Sequence, residues 1–197
     1  MGTRETILDA AASVMRERGL ANVTTRQIAA AAGFSEATLY KHFADKVELM
    51  SAVLRERSTG FTELSAALAG GAGDLEQRLT AVARAAIVFF TDNFPMLASI
   101  FSDRTILDSH RDGLRRHGTG PHKVNEAIMD YLRAEADAGR IRPDADLYAA
   151  AALLVGACMQ HAFLGHMGWP GRRDDAAAAS SFAHTVLAGL ARPGAGS

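Results

Sequence analysis

Apolar residues recur at intervals of three and four positions along almost the whole chain, which is the period of an α-helix. No stretch alternates apolar and polar residues for long enough to predict a β-strand. A first helix is predicted from Thr3 to just before Gly19. A second opens at Thr24, with Gln27 three residues on as a capping box requires, and a third opens at Ser35. The pattern therefore predicts an all-α chain that begins with three short helices.

Longer helices fill the rest of the chain. A helix that starts after Asp45 keeps its apolar period to Leu68, and a glycine-rich stretch at 70–74 then breaks it. Pro95 predicts the start of a shorter helix, and the stretch 109–121, rich in Gly, Arg and His, predicts a mobile loop. The last three predicted helices cover about 122–138, 147–167 and 175–191.

The segment 147–171 contains no Asp, Glu, Lys or Arg, and its length is sufficient for a membrane-spanning helix. However, it is rich in Ala and Gly and contains Gln160, His161 and His166. These features favour a buried helix, and no membrane partner is expected.

Charge and cysteine content narrow the class of protein. The 197 residues have a formal net charge of −1, so any binding of nucleic acid must come from a local basic patch. The single cysteine, Cys158, allows no internal disulfide, which fits a reducing compartment. The first residues lack the apolar segment of a signal peptide, and we therefore expect a cytoplasmic protein.

The second and third helices have the features of a helix-turn-helix. Ala29, Gly33 and Leu39 supply, in order, a small contact residue, a turn residue that tolerates positive φ, and an aliphatic residue that fixes the second helix. With Leu39 and Phe43 facing inward, the opposite face of the third helix carries Glu36, Ala37, Thr38, Tyr40 and Lys41. Such hydroxyl, phenol and ammonium groups suit phosphates and base edges, so this helix is predicted to enter a DNA major groove.

The stretch "TTRQIAAAAGFSEATLYKHFADKVELMSAVL", residues 24–54, resembles the DNA-binding domain of the TetR (tetracycline-repressor-like) family of bacterial transcriptional regulators. The resemblance covers about residues 5–55 and implies a DNA-binding domain at 1–45. A helical effector-binding and dimerisation domain would then cover 46–191, with the helix from 46 as connector and a flexible tail at 192–197. The predicted DNA-binding residues are Thr25, Arg26, Ser35, Glu36, Ala37, Thr38, Tyr40, Lys41, His42 and Lys46.

Glu36 has two interpretations. Its carboxylate could accept a hydrogen bond from a cytosine amino group, or it could complement the helix dipole in the first turn. The second is favoured, because an acid near phosphates is repelled unless it is paired. Residues 1–57 contain eight Lys or Arg against seven Asp or Glu, so we expect two such domains to bind DNA together.

The uncharged helix at 147–167 is apolar on nearly all sides, which predicts that a second chain covers it. The alternative is a fully central helix of a monomer. Together with the last helix it is predicted to form a two-fold four-helix interface, as the family does. The predicted interface residues are Leu147, Ala151, Leu154, Val155, Cys158, Phe182, Val186, Leu187 and Leu190.

The helical body also carries many large apolar side chains, and the resemblance implies that some of them line a pocket for a small effector. An apolar or aromatic compound would suit them, with two polar side chains to orient it. The candidate lining residues are Phe89, Phe90, Phe94, Phe101, Met129, Tyr131, Met159, Gln160, His161 and Phe163.

Metal and enzyme chemistry are not predicted. His161 and His166 are five residues apart, whereas a shared metal on one helix face needs three or four, so no metal or other cofactor is expected. The sequence contains no phosphate-binding loop, nucleophile elbow or HExxH helix. We expect a sequence-specific DNA-binding regulator, a repressor released from a pseudo-palindromic operator by a small effector. The alternative is a helical small-molecule-binding dimer that has lost operator recognition.

Overall fold

The structure, a computed structural model, describes residues 2–20, 22–57, 59–69, 74–102, 104–118 and 120–191. These residues form helices and no strand, which confirms the all-α prediction. A 3₁₀ turn at Ser99–Ser102 follows the sixth α-helix. The α-helices are α1 (Thr3–Arg18), α2 (Thr25–Ala31), α3 (Glu36–Tyr40), α4 (Lys46–Arg57), α5 (Thr59–Ala69), α6 (Leu75–Ala98), α7 (Arg104–Arg116), α8 (His122–Asp137), α9 (Leu147–His166) and α10 (Asp175–Leu190).

The chain divides into two compact units. The first contains Met1–Thr59 and Asp92–Gly120, and the second contains Gly60–Thr91 and Pro121–Ser197. The first unit is larger than the 1–45 segment expected from the sequence, because α4 packs along α1 and α7 packs against α4. The functional division at residue 46 stays a prediction, and the expected tail at 192–197 lies outside the described residues.

The short helices of the first unit begin where their capping residues predict. Thr24 Oγ1 accepts from the backbone N–H of Gln27 at 3.2 Å, and the Gln27 side chain accepts from the Thr24 N–H at 2.9 Å. Ser35 Oγ accepts from the N–H of Thr38, and Asp45 Oδ1 accepts from the N–H of Glu48. These bonds satisfy backbone donors that the first turn of a helix otherwise leaves free.

Ion pairs hold the end of α4 against the start of α1. The two guanidinium Nη atoms of Arg4 each lie 2.8 Å from a carboxylate oxygen of Glu56. Arg57 pairs with Asp9 at 2.6 Å and also with Glu5. The hydrogen bond from Arg4 lowers the pKa of Glu56 to about 2. This clamp makes α4 part of the same packed unit as the predicted helix-turn-helix.

Two sequence-based boundaries need correction. Pro95 lies inside α6, which continues to Ala98, whereas a helix was expected to begin there. The segment 109–121 was expected to be a loop, but residues up to Arg116 belong to α7. Its Gly113 is buried against α4, and a pattern of exposed Arg and Asp on the other side of α7 gives the helix one polar face.

The helix expected to continue through Leu68 is described as α4 and α5, on either side of Ser58, which lies outside the described residues.

The second unit surrounds a core to which α6, α8, α9 and α10 contribute, with Leu79, Ile128, Leu132 and Leu154 among its buried residues. Within α9, one side alone is buried. Two segments, Leu75–Ser102 and Leu147–His166, are long and apolar enough to span a membrane by length and composition. This is weak evidence for a membrane protein, because both segments supply buried residues to the helical cores.

Candidate nucleic-acid interface

The turn between α2 and α3 brings the two helices together as the sequence predicts. Ala29, Ile28 and Leu39 are at most 1% exposed, so they form the contact between the helices. Gly33 has φ +76°, in the left-handed region that favours glycine. The Phe34 N–H donates to the carbonyl of Ala29 at 2.9 Å and closes the turn. The short helix α3 is thereby fixed with one face packed and the other free.

The free face of α3 is chemically suited to DNA. Tyr40 is 48% exposed, and Ala37, Lys41 and His42 are also exposed. Arg26 is exposed at the start of α2, where backbone N–H groups also favour a phosphate. Thr38 is half-buried and Ser35 is exposed, with their hydroxyl oxygens 2.9 Å apart.

Thr25, Glu36 and Tyr40 form a hydrogen-bonded cluster that the sequence did not predict. Thr25 is only 8% exposed, and its hydroxyl donates to Glu36 Oε1 at 2.5 Å. The same hydroxyl oxygen lies 3.1 Å from the Tyr40 hydroxyl. All three are among the predicted DNA-binding residues, and in this structure their side chains bind one another.

Lys46, a predicted DNA-binding residue, makes a contact within the chain that the sequence did not predict. Its ammonium donates to the carbonyl oxygen of Leu20 at 2.6 Å, and burial lowers its pKa. The Lys46 side chain therefore ties the start of α4 to the segment after α1. One of the three ammonium hydrogens is therefore used within the chain in this conformation.

The C-terminal end of α7 is bound to the N-terminal end of α4. Asp45 Oδ2 lies 2.8 Å from Arg116 and 3.5 Å from His117. Burial alone would raise the pKa of Asp45, but the hydrogen bond from the Glu48 N–H and the ion pairs with Arg116 and His117 outweigh it and lower the pKa. A Cβ atom at Gly113 would lie 2.7 Å from the Val47 side chain, so only glycine permits this approach. Apart from the glycine itself, no sequence pattern predicts this contact.

Comparison with known proteins places this geometry in a family. Residues 7–53 match the model for bacterial regulatory proteins of the tetR family. The chain is also 31% identical to the HTH-type transcriptional repressor Rv1474c of Mycobacterium tuberculosis over 141 residues. This alignment covers 72% of this chain and 70% of the repressor. The chain belongs to the TetR family. It is a DNA-binding transcriptional regulator of the helix-turn-helix type, as the resemblance of residues 24–54 predicted.

Solved structures of other regulators extend the similarity to the helical body. SmeT, the repressor of the Stenotrophomonas maltophilia multidrug efflux pump SmeDEF, superimposes with a TM-score of 0.64 at 24% identity, over 98% of this chain and 93% of SmeT. FadR of Bacillus subtilis, solved in complex with stearoyl-CoA, gives a TM-score of 0.65 at 18% identity, over 94% of this chain and 98% of FadR. At these identities the comparison establishes the shared fold.

Within the TetR-family body, the orientation of α9 corrects several predicted roles. Ala151, Leu154 and Cys158 were expected at the dimer interface, but they are at most 1% exposed in the core of their own chain. Met159 and Phe163 were expected in the ligand pocket, but they are 46% and 41% exposed on the opposite side of α9. Gln160 is exposed on that side as well. A helix that is apolar all round gives no sequence signal for which side faces inward.

The other predicted interface residues lie nearer the surface. Leu147, Val155, Phe182, Val186 and Leu187 are half-buried. Leu190 is only 3% exposed. Between α9 and α10 lies a groove of about 370 Å³, and its apolar lining includes Leu153, Ala157, Phe182, Val186 and Leu190. None of the predicted effector-binding residues lines this groove.

His161, expected to orient an effector, instead joins two helices of its own chain. Its Nε2 lies 3.0 Å from Asp175 Oδ1 and 2.6 Å from Arg172 Nη1. Burial alone would raise the pKa of Asp175, but the hydrogen bonds from Arg172 and His161 lower it. The His161 ring also meets the edge of Phe182, with centroids 5.9 Å apart. This cluster fixes the start of α10 against α9.

The remaining predicted pocket residues fall in both units. Phe94 and Phe101 belong to the first unit, and the Phe101 ring is 73% exposed. In the second unit, Phe89, Phe90, Met129 and Tyr131 are half-buried. The Tyr131 hydroxyl and the Arg78 Nε are buried without a hydrogen-bond partner among the described residues. The Arg78 guanidinium carbon lies 4.1 Å from the centre of the Tyr131 ring.

Among the described residues, no cluster of three His, Cys, Asp or Glu side chains could hold a metal.

Proposed function

We propose that this regulator is a cytoplasmic homodimeric repressor that leaves a pseudo-palindromic operator when a small effector binds. The observation that carries the proposal is the free face of α3, where Ala37, Tyr40 and Lys41 are exposed beside Arg26. A short residue flanked by a phenol and a cation allows the helix to approach base edges closely while the cation binds phosphate. Repression and effector release are features that the relatives and the fold support by similarity.

The outward side of α9 supports the dimer. Leu153 is 68% exposed, and an added Cβ at Gly156, on the same helix, would have no atom of the described chain within 4 Å. The groove beside α10 also includes Arg142 and Asp146 in its lining, but α9 itself contributes no charged side chain to this largely apolar surface. A second copy of the chain would bury this surface and set two recognition helices about 34 Å apart, one turn of DNA. The proposed interface therefore uses the exposed side of α9, with Leu153 and Gly156, instead of the buried residues that the sequence predicted.

The effector is proposed to bind beside Tyr131 in the second unit. The Tyr131 hydroxyl and the Arg78 Nε are buried and have no acceptor among the described residues. Leaving a buried donor without an acceptor costs free energy, and an acceptor group on a ligand would remove that cost. Phe89, Phe90 and Met129 supply adaptable apolar surface in the same unit. A small apolar or aromatic compound with one acceptor group fits this composition.

The response to the effector is proposed to reach DNA through α4. Asp45, just before its first turn, forms ion pairs with Arg116 and His117 at the end of α7. Val47, in that first turn, packs against Gly113 of α7. Any displacement of α7 would therefore displace the start of α4, which directly follows the predicted DNA-contacting residues. The clamp formed by Arg4 and Glu56 would transmit that movement to α1.

The test is to bind the purified protein to fragmented genomic DNA from its source and to sequence the retained fragments. We expect one pseudo-palindrome to be enriched and its affinity to fall steeply with salt. An Arg26→Ala variant should lose affinity for all fragments together, since a phosphate contact carries no sequence information. A folded dimer that enriches no sequence would support the alternative of a small-molecule-binding protein without an operator.

A further inference from the structure

The hydrogen bonds among Thr25, Glu36 and Tyr40 have a fixed direction. A carboxylate can only accept, so the single Thr25 hydroxyl hydrogen is donated to Glu36 Oε1 over 2.5 Å. The Thr25 oxygen, 3.1 Å from the Tyr40 hydroxyl, must then accept the hydrogen of Tyr40. The donors of both hydroxyl groups are therefore directed inward, and the chain of hydrogen bonds ends on Glu36.

Because the Tyr40 hydroxyl hydrogen is used within this chain and Glu36 is a carboxylate, these two side chains present only acceptor atoms to the surface predicted to face DNA. Glu36 Oε2 has no hydrogen-bond partner among the described residues, and the Tyr40 oxygen keeps only lone pairs. A phosphate offers no hydrogen to such groups, so neither side chain can bind one in this arrangement. The Thr25 side chain is 8% exposed and thus a rigid support that holds the Glu36 carboxylate in one position. A carboxylate held in this way has already lost the rotational freedom that a base contact would otherwise cost.

The complementary groups in the major groove are exocyclic amino groups. Cytosine presents its N4 amino group, whereas adenine presents its N6 amino group next to the N7 acceptor, which would repel a carboxylate. We propose that Glu36 is a specificity-determining residue that accepts from a cytosine amino group, with Thr25 and Tyr40 as positioning residues. The inference rests on the proposed binding of an operator and assigns one base preference within it.

Glu36 also lowers the affinity for DNA that lacks the preferred base. On DNA without a suitably placed amino group, its charge faces phosphates and base acceptors without compensation. Glu36 therefore lowers affinity for non-operator DNA while it retains affinity for the operator. The amide of a Glu36→Gln variant keeps the shape but both donates and accepts, so it tolerates more bases.

The experiment selects binding sites from randomised DNA with wild type, Glu36→Gln and Glu36→Ala. Glu17→Gln is the matched control, since Glu17 is an exposed carboxylate on α1 that accepts a hydrogen bond from Ser13. We expect one C·G position in each half-site to lose about tenfold discrimination in both Glu36 variants, with other positions unchanged. Affinity for non-operator DNA should rise in both. Thr25→Val and Tyr40→Phe should weaken the same preference in part.

The outcomes separate the two levels of the proposal. If wild type selects a palindrome and the Glu36 variants select it with unchanged base preferences, the Glu36 assignment is overturned while operator binding stands. If wild type selects no sequence, operator binding itself fails. Thermal unfolding of Glu36→Gln checks that its fold is retained, because a change confined to one base position cannot arise from partial unfolding.

Discussion

The ring Nε2 of His166 lies 3.0 Å from the carbonyl oxygen of Thr91, the acceptor that Pro95 leaves without its helical partner. A residue at position 95 would normally donate its N–H four residues back, and proline has no N–H to donate. Since a carbonyl only accepts, His166 must carry a hydrogen on Nε2. The side chain at the end of α9 thus replaces a bond missing from α6, which helps to explain how α6 continues through a proline.

This relationship predicts a coupling between Pro95 and His166. His166→Ala should lower the free energy of unfolding by about 0.5–1.5 kcal/mol in the wild-type background, the usual net value of one hydrogen bond. In a Pro95→Ala background the restored N–H can bond to Thr91, so the same change should cost less. Chemical denaturation of the four proteins in this cycle measures the coupling. Equal costs in the two backgrounds would contradict it.

Glu56 should make stability depend on acidity. The hydrogen bond from Arg4 lowers its folded pKa from 4.5 to about 2, so its contribution is present above pH 4.5 and is lost as pH falls toward 2. Glu56→Gln should therefore destabilise the protein at pH 7 by about 1 kcal/mol, since both side chains are partly solvated. The difference from wild type should vanish near pH 2. Denaturation across this range tests the sign, with Glu17→Gln as a charge-matched control.

Gly113→Ala should force α7 away from α4. The added Cβ would lie 2.7 Å from three carbons of Val47, and this clash outweighs the gain of up to about 1 kcal/mol that alanine gives in a helix. Thermal unfolding should show destabilisation, and operator affinity should change with it. Val47→Ala in the same chain removes the clashing methyl groups and should restore part of both. Failure of this rescue would argue against contact between these two residues as the cause.

Gly156→Arg should separate folding from dimerisation. No atom of the described residues lies within 4 Å of a Cβ at this position, so the isolated fold should tolerate the change. A charge on the apolar outward side of α9 would be buried unpaired in the proposed dimer. We expect a folded monomer with weak operator binding, measured by analytical ultracentrifugation and DNA binding. Ala134→Arg, at an exposed position of α8, is the control that should remain dimeric.

Arg26 and Lys46 should affect DNA binding differently. Arg26 is exposed, and its replacement by alanine should lower the salt slope of binding by about one. Lys46 already donates to Leu20, so Lys46→Met should lower stability and leave the salt slope nearly unchanged. A loss of slope in Lys46→Met equal to that in Arg26→Ala would show that Lys46 also neutralises a phosphate. Binding titrations at several salt concentrations distinguish these results.

The sequence predicted features that depend on neighbouring residues. The capping pairs Thr24–Gln27 and Asp45–Glu48 formed as expected, because caps are decided within four positions. Gly33 adopted the positive φ that its turn requires. These local signals, together with the amphipathic period of the short helices, were sufficient to identify the helix-turn-helix.

Features that depend on distant residues were not predicted. The inward side of α9 is chosen by packing against α8 and α10, since its own sequence is apolar in every direction. The pairing of Lys46 with a carbonyl 26 positions earlier has no sequence signature. Pro95 was interpreted by its local preference for helix starts, while the bond from His166, 75 positions after Thr91, favours its place inside α6.

Cys158 makes the natural chain convenient for distance measurements. Burial raises the pKa of this only cysteine to about 12, and its thiol donates to the carbonyl of Ala83, so it will be nearly inert toward maleimide or nitroxide reagents at neutral pH. A cysteine introduced at the exposed Ser102 would therefore carry the label alone. Paired labels in two copies of the chain would then report their separation by electron spin resonance, with and without a candidate effector, in a protein that keeps every native residue but one.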